Sequence, residues 1–215
     1  MIIGFAEDKI WTITIARSFG SGGKEIASLL SEKLGIPWYE RQILTMASQA
    51  SGIDESEFVE VDEKLHGSYL IKSLTKLPTA NVLRPESRAF VSDLNLYNIQ
   101  AAIIEELSRT QSCIIVGKCA DHILRDKPNV LSVFVDAYYD DCISKIRSRI
   151  YVSEERAKDM KKRTDKYRTA YYKYYTRGEN WKDTLNYDMF LNTSRNSTND
   201  CAEIIAKAVE LKFGK

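Results

Sequence analysis

The chain has 215 residues, 44% of them hydrophobic and 28% charged, which is enough for one α/β domain with a sizeable core. Its 31 Lys and Arg against 30 Asp and Glu leave a formal charge of +1, removing the bulk electrostatic case for a nucleic-acid binder. No apolar run approaches the roughly 18 residues of a membrane span, so no membrane partner is expected.

In chain order, Met1–Phe5 is apolar but lacks a basic start and is followed by Glu7 and Asp8, so it does not read as a signal peptide. Residues 1–10 are expected to form a loose arm. Thr12–Ala16 is a β-branched run that suits a buried strand. Gly20, Gly22 and Gly23 then supply backbone freedom and bare N–H groups, and Lys24–Leu34 presents Ile26, Leu29, Leu30 and Leu34 on one helical stripe closed by Gly35. Ile36–Tyr39 reads as extended. Helices are expected over 41–50, stopped by Gly52, and from Asp54–Glu57, whose acids suit a helix start. Residues 64–88 are irregular and basic. A helix over 90–107 carries Leu94, Tyr97, Ala101, Ile104 and Leu107. Ser112–Gly117 and Val130–Val135 read as buried parallel strands. Cys119–Leu124 opens a helix or turn, and 139–150 is a helix with Cys142, Ile143, Ile146 and Ile150 inward. The charged, tyrosine-rich segment 154–177 leads to a last strand at 186–191 and a closing helix capped by Asp200. Strands alternating with helices imply a parallel sheet covered on both faces.

Cys113, Cys119, Cys142 and Cys201 show no C-x-x-C spacing and are expected as core thiols in a reducing cytoplasm. His66 and His122 do not stand at zinc-ligand spacing from them, and no Ser-His-Asp arrangement is visible.

Strand, glycine loop, lysine and helix form the layout of a phosphate-binding P-loop. The pattern G-x-x-x-x-G-K-[ST] fits at Gly23 and Lys24 and fails at both ends, with Ser18 at the first glycine and Glu25 at the hydroxyl position. Ser18, Gly20, Ser21, Gly22, Gly23, Lys24 and Glu25 are therefore the candidate nucleotide-phosphate cradle. A solvated lysine after a glycine-rich turn is the bland alternative.

Four stretches extend this reading: Arg17–Lys24, Ile115–Asp121, Arg163–Arg168, and Asn186–Asp188 leading to Leu191–Ser194. Their order and spacing resemble the cytidylate kinase-like family of P-loop nucleoside monophosphate kinases. The resemblance implies a three-layer α/β fold with a five-stranded parallel sheet. Its core would be about 11–37, 112–150 and 184–215, with a helical monophosphate-binding insert at about 38–111 and a lid at about 151–183. It implies a cytoplasmic, ATP- and Mg²⁺-dependent kinase of CMP or dCMP whose partners are small-molecule nucleotides. Lys24 would follow the transferring phosphoryl group. Arg163, Asp165 and Arg168 would act from the lid, with Asp165 holding Arg168 across one helix face. Lys118 and Asp121 would lie near the acceptor, where cytidylate kinases carry Gly-Arg-Asp, and one of Arg41, Arg84 and Arg88 would clamp its phosphate. Glu25 would either bind the metal or repel phosphate. Asp136 would be a second metal ligand or a helix cap. The lid tyrosines read as packing on the lid itself or on a partner, which permits a homodimer. A catalytically weak nucleotide-binding sensor or regulatory protein is the alternative that Glu25 and Lys118 keep open.

Overall fold

The structure, a computed structural model, describes residues 10–52, Glu55 and 93–214. Apart from Glu55, the helix start at Asp54–Glu57 lies outside them, as does the basic stretch 64–88 with Arg84 and Arg88.

Five strands, β1 (Thr12–Arg17), β2 (Trp38–Tyr39), β3 (Cys113–Val116), β4 (Val130–Asp136) and β5 (Met189–Asn192), form one sheet in the order β2-β3-β1-β4-β5. Every pairing is parallel, with Thr12 level with both Cys113 and Val130. Seven helices are described: α1 (Gly23–Leu34), α2 (Gln42–Ser51), α3 (Asp93–Thr110), α4 (Ala120–Ile123), α5 (Tyr139–Ile150), α6 (Glu154–Tyr175) and α7 (Thr198–Phe213).

The period-2 geometry of the strands sorts the core into two faces. Ile13 and Ile15 of β1 and Ile114 and Val116 of β3 face α1 and α7, meeting Ile26, Leu30, Cys201 and Ile205. Cys113 and Ile115 face the other way, onto Ile43, Leu44, Ile99 and Ile103 of α2 and α3. Burying each of these aliphatic side chains contributes about 1.5–3 kcal/mol. The result is the three-layer α/β fold, with the carboxyl ends of β1, β3 and β4 opening onto one rim.

Trp38 and Tyr39 pair with β3, and α2 and α3 pack on one core face of the sheet. Other details differ from expectation. On α3, Ile104 and Leu107 of the expected stripe are buried, together with Leu96, Ile99 and Ile103, while Tyr97 packs toward α6 and Leu94 at the first turn is exposed. Ile150 is exposed at the last turn of α5. Residues 154–175 form one uninterrupted helix. The last strand begins only at Met189, after a 3₁₀ turn over Thr184–Asn186 that frees Tyr187 to pack on Phe134. The cap of α7 is Ser197. Asp200 is the reciprocal member of a capping box, its carboxylate reaching back to the Ser197 N–H. All four cysteines are free and buried, and burial pushes the Cys113 thiol up to about 12.

Candidate active site

The glycine loop is held from beneath by backbone. Ser18 N–H donates to the Val135 carbonyl (3.1 Å), and the Ser21 hydroxyl bonds the carbonyls of Ser18 (2.9 Å) and Val135 (3.0 Å). The Thr193 hydroxyl, just past β5, donates to the Ser21 carbonyl (2.7 Å). Gly20 and Gly22 adopt φ of 84° and 87°, and a Cβ at Gly20 would meet the Cys142 carbonyl oxygen at 2.7 Å. Gly22 caps α1 without a side chain, so the first-turn N–H groups of α1 have no intrahelical acceptor and bring the positive end of the helix dipole to the loop. They face a cavity of about 760 Å³ that Gly20, Lys24, Lys145, Arg149 and Thr198 help to line. Backbone donors, a helix start and several cations make this a candidate anion site.

Lys24 extends over the Trp38 ring and pairs with Glu40 Oε2 (3.1 Å). Glu25 turns away from the loop. One oxygen accepts from the Thr198 hydroxyl (2.6 Å) and the other faces Arg149 (3.4 Å), tying α1 to α7 and α5. Asp136, at the end of β4, accepts from the Ala137 N–H (2.9 Å) and from Lys182 (2.7 Å). Burial raises its pKa, but Lys182 and the Ser18 hydroxyl outweigh that and hold the carboxyl below its ordinary range. It is not a helix cap, since the N-cap of α5 is Tyr138. Among the described residues no cluster of three His, Cys, Asp or Glu is arranged for a metal.

Beyond the loop, a second cavity of about 130 Å³ opens between β1, β3, α2 and α6. Arg17, Glu40, Arg41 and Arg168 line both cavities and form the boundary between them. Glu40 pairs with Arg17 Nη2 as well as with Lys24. Burial pushes its pKa up, but the two cations prevail and keep it ionised. Arg41 carries a buried Nη2 with no hydrogen-bond partner among the described residues. The floor is the loop after β3, where Gly117, Lys118 and Cys119 run at φ of 76°, 59° and 53°. Three consecutive left-handed residues, two with side chains, are strained and persist only where the surroundings fix them. This loop places Lys118 and Asp121 on the wall. Asp121 is nearly fully buried, with Oδ2 unpartnered; burial pushes its carboxyl up to about 6, against the bonding influence of Tyr172 and Tyr187.

Helix α6 roofs both cavities. Asp165 accepts from the Phe19 N–H (2.7 Å) and from Lys161 (2.9 Å), and Lys161 also donates to the Phe19 carbonyl (3.1 Å). Arg168 Nη1 donates to the Arg17 carbonyl (2.9 Å). Asp165 thus anchors the loop and Lys161, and the same carboxylate forms a longer ion pair with Arg168 at 4.0 Å. Arg163 lies outside both cavities, with Nε on Asp159 (2.8 Å) and its side chain largely exposed. The lid tyrosines pack on one another and on α3, Tyr97 stacking on Tyr175 at 4.0 Å.

The structure thus brings together Ser18, Gly20, Ser21, Gly22, Gly23, Lys24, Arg41, Lys118, Asp121 and Arg168. Arg163 lies apart, Glu25 lies at the rim with its carboxylate engaged, and Arg84 and Arg88 lie outside the described residues. Sequence reasoning assigned nothing to Arg17, Glu40, Lys145, Arg149 or Lys161. Arg17 and Glu40 flank the glycine loop and Arg41, but no spacing rule links them.

The model of the cytidylate kinase-like family matches residues 12–195. None of the curated proteins matches the chain by sequence. Among solved structures, an uncharacterized protein from Eubacterium ventriosum is 25% identical with a TM-score of 0.67, covering 93% of this chain and 98% of its own. Shikimate kinases from Acinetobacter baumannii (10% identity, TM-score 0.50, 97% of both chains) and Bacteroides thetaiotaomicron (10%, 0.52, 93% and 98%) share the fold.

Proposed function

This chain belongs to the cytidylate kinase-like family, and from that premise we propose that it is an ATP-dependent nucleoside monophosphate kinase acting on CMP or dCMP. Membership and the P-loop kinase fold make it a kinase-type phosphotransferase; the acceptor is our reading. The observation that carries it is the pair of cavities meeting at one boundary of arginines. One is framed by backbone donors and a helix start, the other by Arg41, Lys118 and Asp121.

In this reading the loop cavity takes the ATP triphosphate and the second cavity the acceptor. An acceptor phosphate oxygen bonds to the γ-phosphorus as the bond to the β–γ bridging oxygen breaks, and the electron pair stays on ADP. A phosphate acceptor is already ionised, so no strong base is needed, and catalysis rests on position and charge. Lys24 and Arg168 neutralise the transferring group. Arg41 is the acceptor clamp we favour, because its buried nitrogen lacks a partner. Asp121, with Tyr172 beside it, offers a buried hydrogen-bonding edge to the base or sugar.

The Ser18 hydroxyl, buried without a well-formed hydrogen bond, is free to hold a hydrated Mg²⁺, and Asp136 would join it only by releasing Lys182. Glu25, engaged by Thr198 and Arg149, does not fit that role. Bound there, Mg²⁺ would supply charge neutralisation of the β- and γ-oxygens.

ADP release measured with CMP, dCMP, UMP, AMP, GMP and shikimate tests the reading. Turnover confined to pyrimidine monophosphates supports it, and turnover of shikimate alone overturns it. A second reading, a nucleotide-binding regulatory protein without turnover, is favoured by Glu25 standing where a P-loop has its hydroxyl. ATP binding with every acceptor silent would select it.

A further inference from the structure

The side chain of Arg17 is placed with more care than an ion-pair partner requires. It is only 13% exposed, lines both cavities, and has Nη2 on Glu40. Two glycines make room for it. A Cβ on Gly117 would fall 2.1 Å from Arg17 Nη1, and a Cβ on Gly23 would fall 2.7 Å from Arg17 Cβ and 3.0 Å from Cγ. Gly117 also needs its φ of 76°, but Gly23 opens α1 without a positive φ, so backbone conformation does not demand a glycine there. What a side chain at Gly23 would displace is the stem of Arg17.

The charge count points the same way. Glu40 is one carboxylate shared by two cations, Arg17 and Lys24. Lys24 alone would neutralise it. The surplus positive charge lies at the boundary between the cavities, with Arg168 docked on the Arg17 carbonyl and Arg41 beside it. A planar guanidinium braced by a carboxylate on one edge keeps its remaining N–H groups free in direction, which suits bidentate recognition of phosphate oxygens.

We propose that Arg17 is a phosphate-binding residue that bridges the two cavities, contacting the phosphoryl group as it passes from donor to acceptor, with Glu40 as its positioning residue and Gly23 and Gly117 as its seat. The inference rests on the phosphotransfer reading above. The bonds made and broken are the same; Arg17 adds charge on the equatorial oxygens of the transferring group and moves no proton.

The test uses the full chain and its Arg17→Ala, Arg17→Gly, Arg17→Lys, Gly23→Ala and Arg17→Gly/Gly23→Ala variants. Titration with inorganic tripolyphosphate, turnover with ATP and CMP, and melting temperature are measured for each. Arg17→Ala is expected to weaken tripolyphosphate at least tenfold and to lower kcat about 10²-fold, with part of the rate restored by millimolar guanidinium, which a purely structural role would not give. Arg17→Lys, which keeps the charge and serves if the alanine variant does not fold, is expected to fall between. Gly23→Ala is expected to lower kcat at least tenfold in the parent and to have no further effect in the Arg17→Gly background, which removes both the Cβ and the Cγ that the added methyl would meet. Unchanged affinity and rate in Arg17→Ala overturn the inference and leave the kinase reading standing. A Gly23→Ala effect that persists without Arg17 overturns the seat. A parent chain that binds neither tripolyphosphate nor ATP overturns both readings.

Discussion

The loop cavity, the donor side of our reading, combines the bare backbone of Gly20, Gly22 and Gly23 with the partly exposed cations Lys24 and Arg149. The second cavity, the acceptor side of that reading, adds a buried Asp121 and aromatic residues around Tyr172 and Trp181. Both draw on segments far apart in sequence, and the second includes a loop in strained left-handed conformation. Backbone donors cannot be removed by changing a side chain, so anion binding at the loop would rest on shape and on Lys24. Binding in the second cavity would rest on individual buried groups, each costly to leave unpaired.

The sharpest break in this comparison is Lys24→Met. Lys24 is 57% exposed and its pairing with Glu40 contributes little to stability, so the melting temperature is expected to hold while kcat falls about 10³-fold. Calorimetric titration with CMP should be unaffected; weakened CMP binding would show that Lys24 serves the acceptor side. Next in size is Arg41→Ala, expected to raise KM for the acceptor about 10–100-fold and to leave KM for ATP unchanged, matching a lost charge-assisted bond of about 1.5–3 kcal/mol. An equal rise in both would erase the division between the cavities.

Asp121→Asn separates binding from stability. The native pKa of about 6 lies above the ordinary value of 3.8, so the folded state holds a proton more tightly than the unfolded one. The parent therefore loses stability as pH rises from about 4 to 6 and remains penalised above that, by about 3 kcal/mol at the upper limit. The Asn variant is expected to melt roughly 6–12 °C above the parent at pH 8 at most, with the gap closing near pH 4, while binding the acceptor more weakly. Melting curves across pH 4–8 check this, and a gap that widens toward acid refutes the burial argument. The smallest effects belong to residues outside the cavities or already engaged. Arg163→Ala is expected to change kcat by less than about twofold, in line with an exposed ion pair. Glu25→Ala is expected to cost under about 1 kcal/mol and to leave the Mg²⁺ dependence of turnover unmoved; a tenfold shift in that dependence would make Glu25 a metal ligand.

Legibility followed the same line. The strand, glycine loop and helix start at 12–34 are contiguous, so periodicity and composition sufficed to locate them. Strands β1, β3 and β4 were readable because buried parallel strands carry apolar, β-branched-rich runs, whereas β2 and β5 are short, carry none, and were legible only from their flanking residues. The expected stripe of α3 holds at Ile104 and Leu107 and fails at Leu94, because a second apolar stripe, Leu96, Ile99 and Ile103, shares the buried side. The Asp165–Arg168 pair is present at 4.0 Å, but Lys161, one turn earlier, and the Phe19 N–H share the carboxylate, which the spacing did not reveal.

Residue order by itself therefore determined the alternation of strands and helices and the glycine loop, because each depends on local periodicity or on a short contiguous motif, while the family followed from the resemblance of four separate stretches taken together. The tertiary structure alone decided that Glu40 holds two cations, that Glu25 faces Thr198 and Arg149, and that Arg17 lies on Gly23 and Gly117. Those relations join residues that only the sheet crossovers bring within reach, and the electrostatics of a buried carboxylate depend on what surrounds it rather than on its neighbours in the chain.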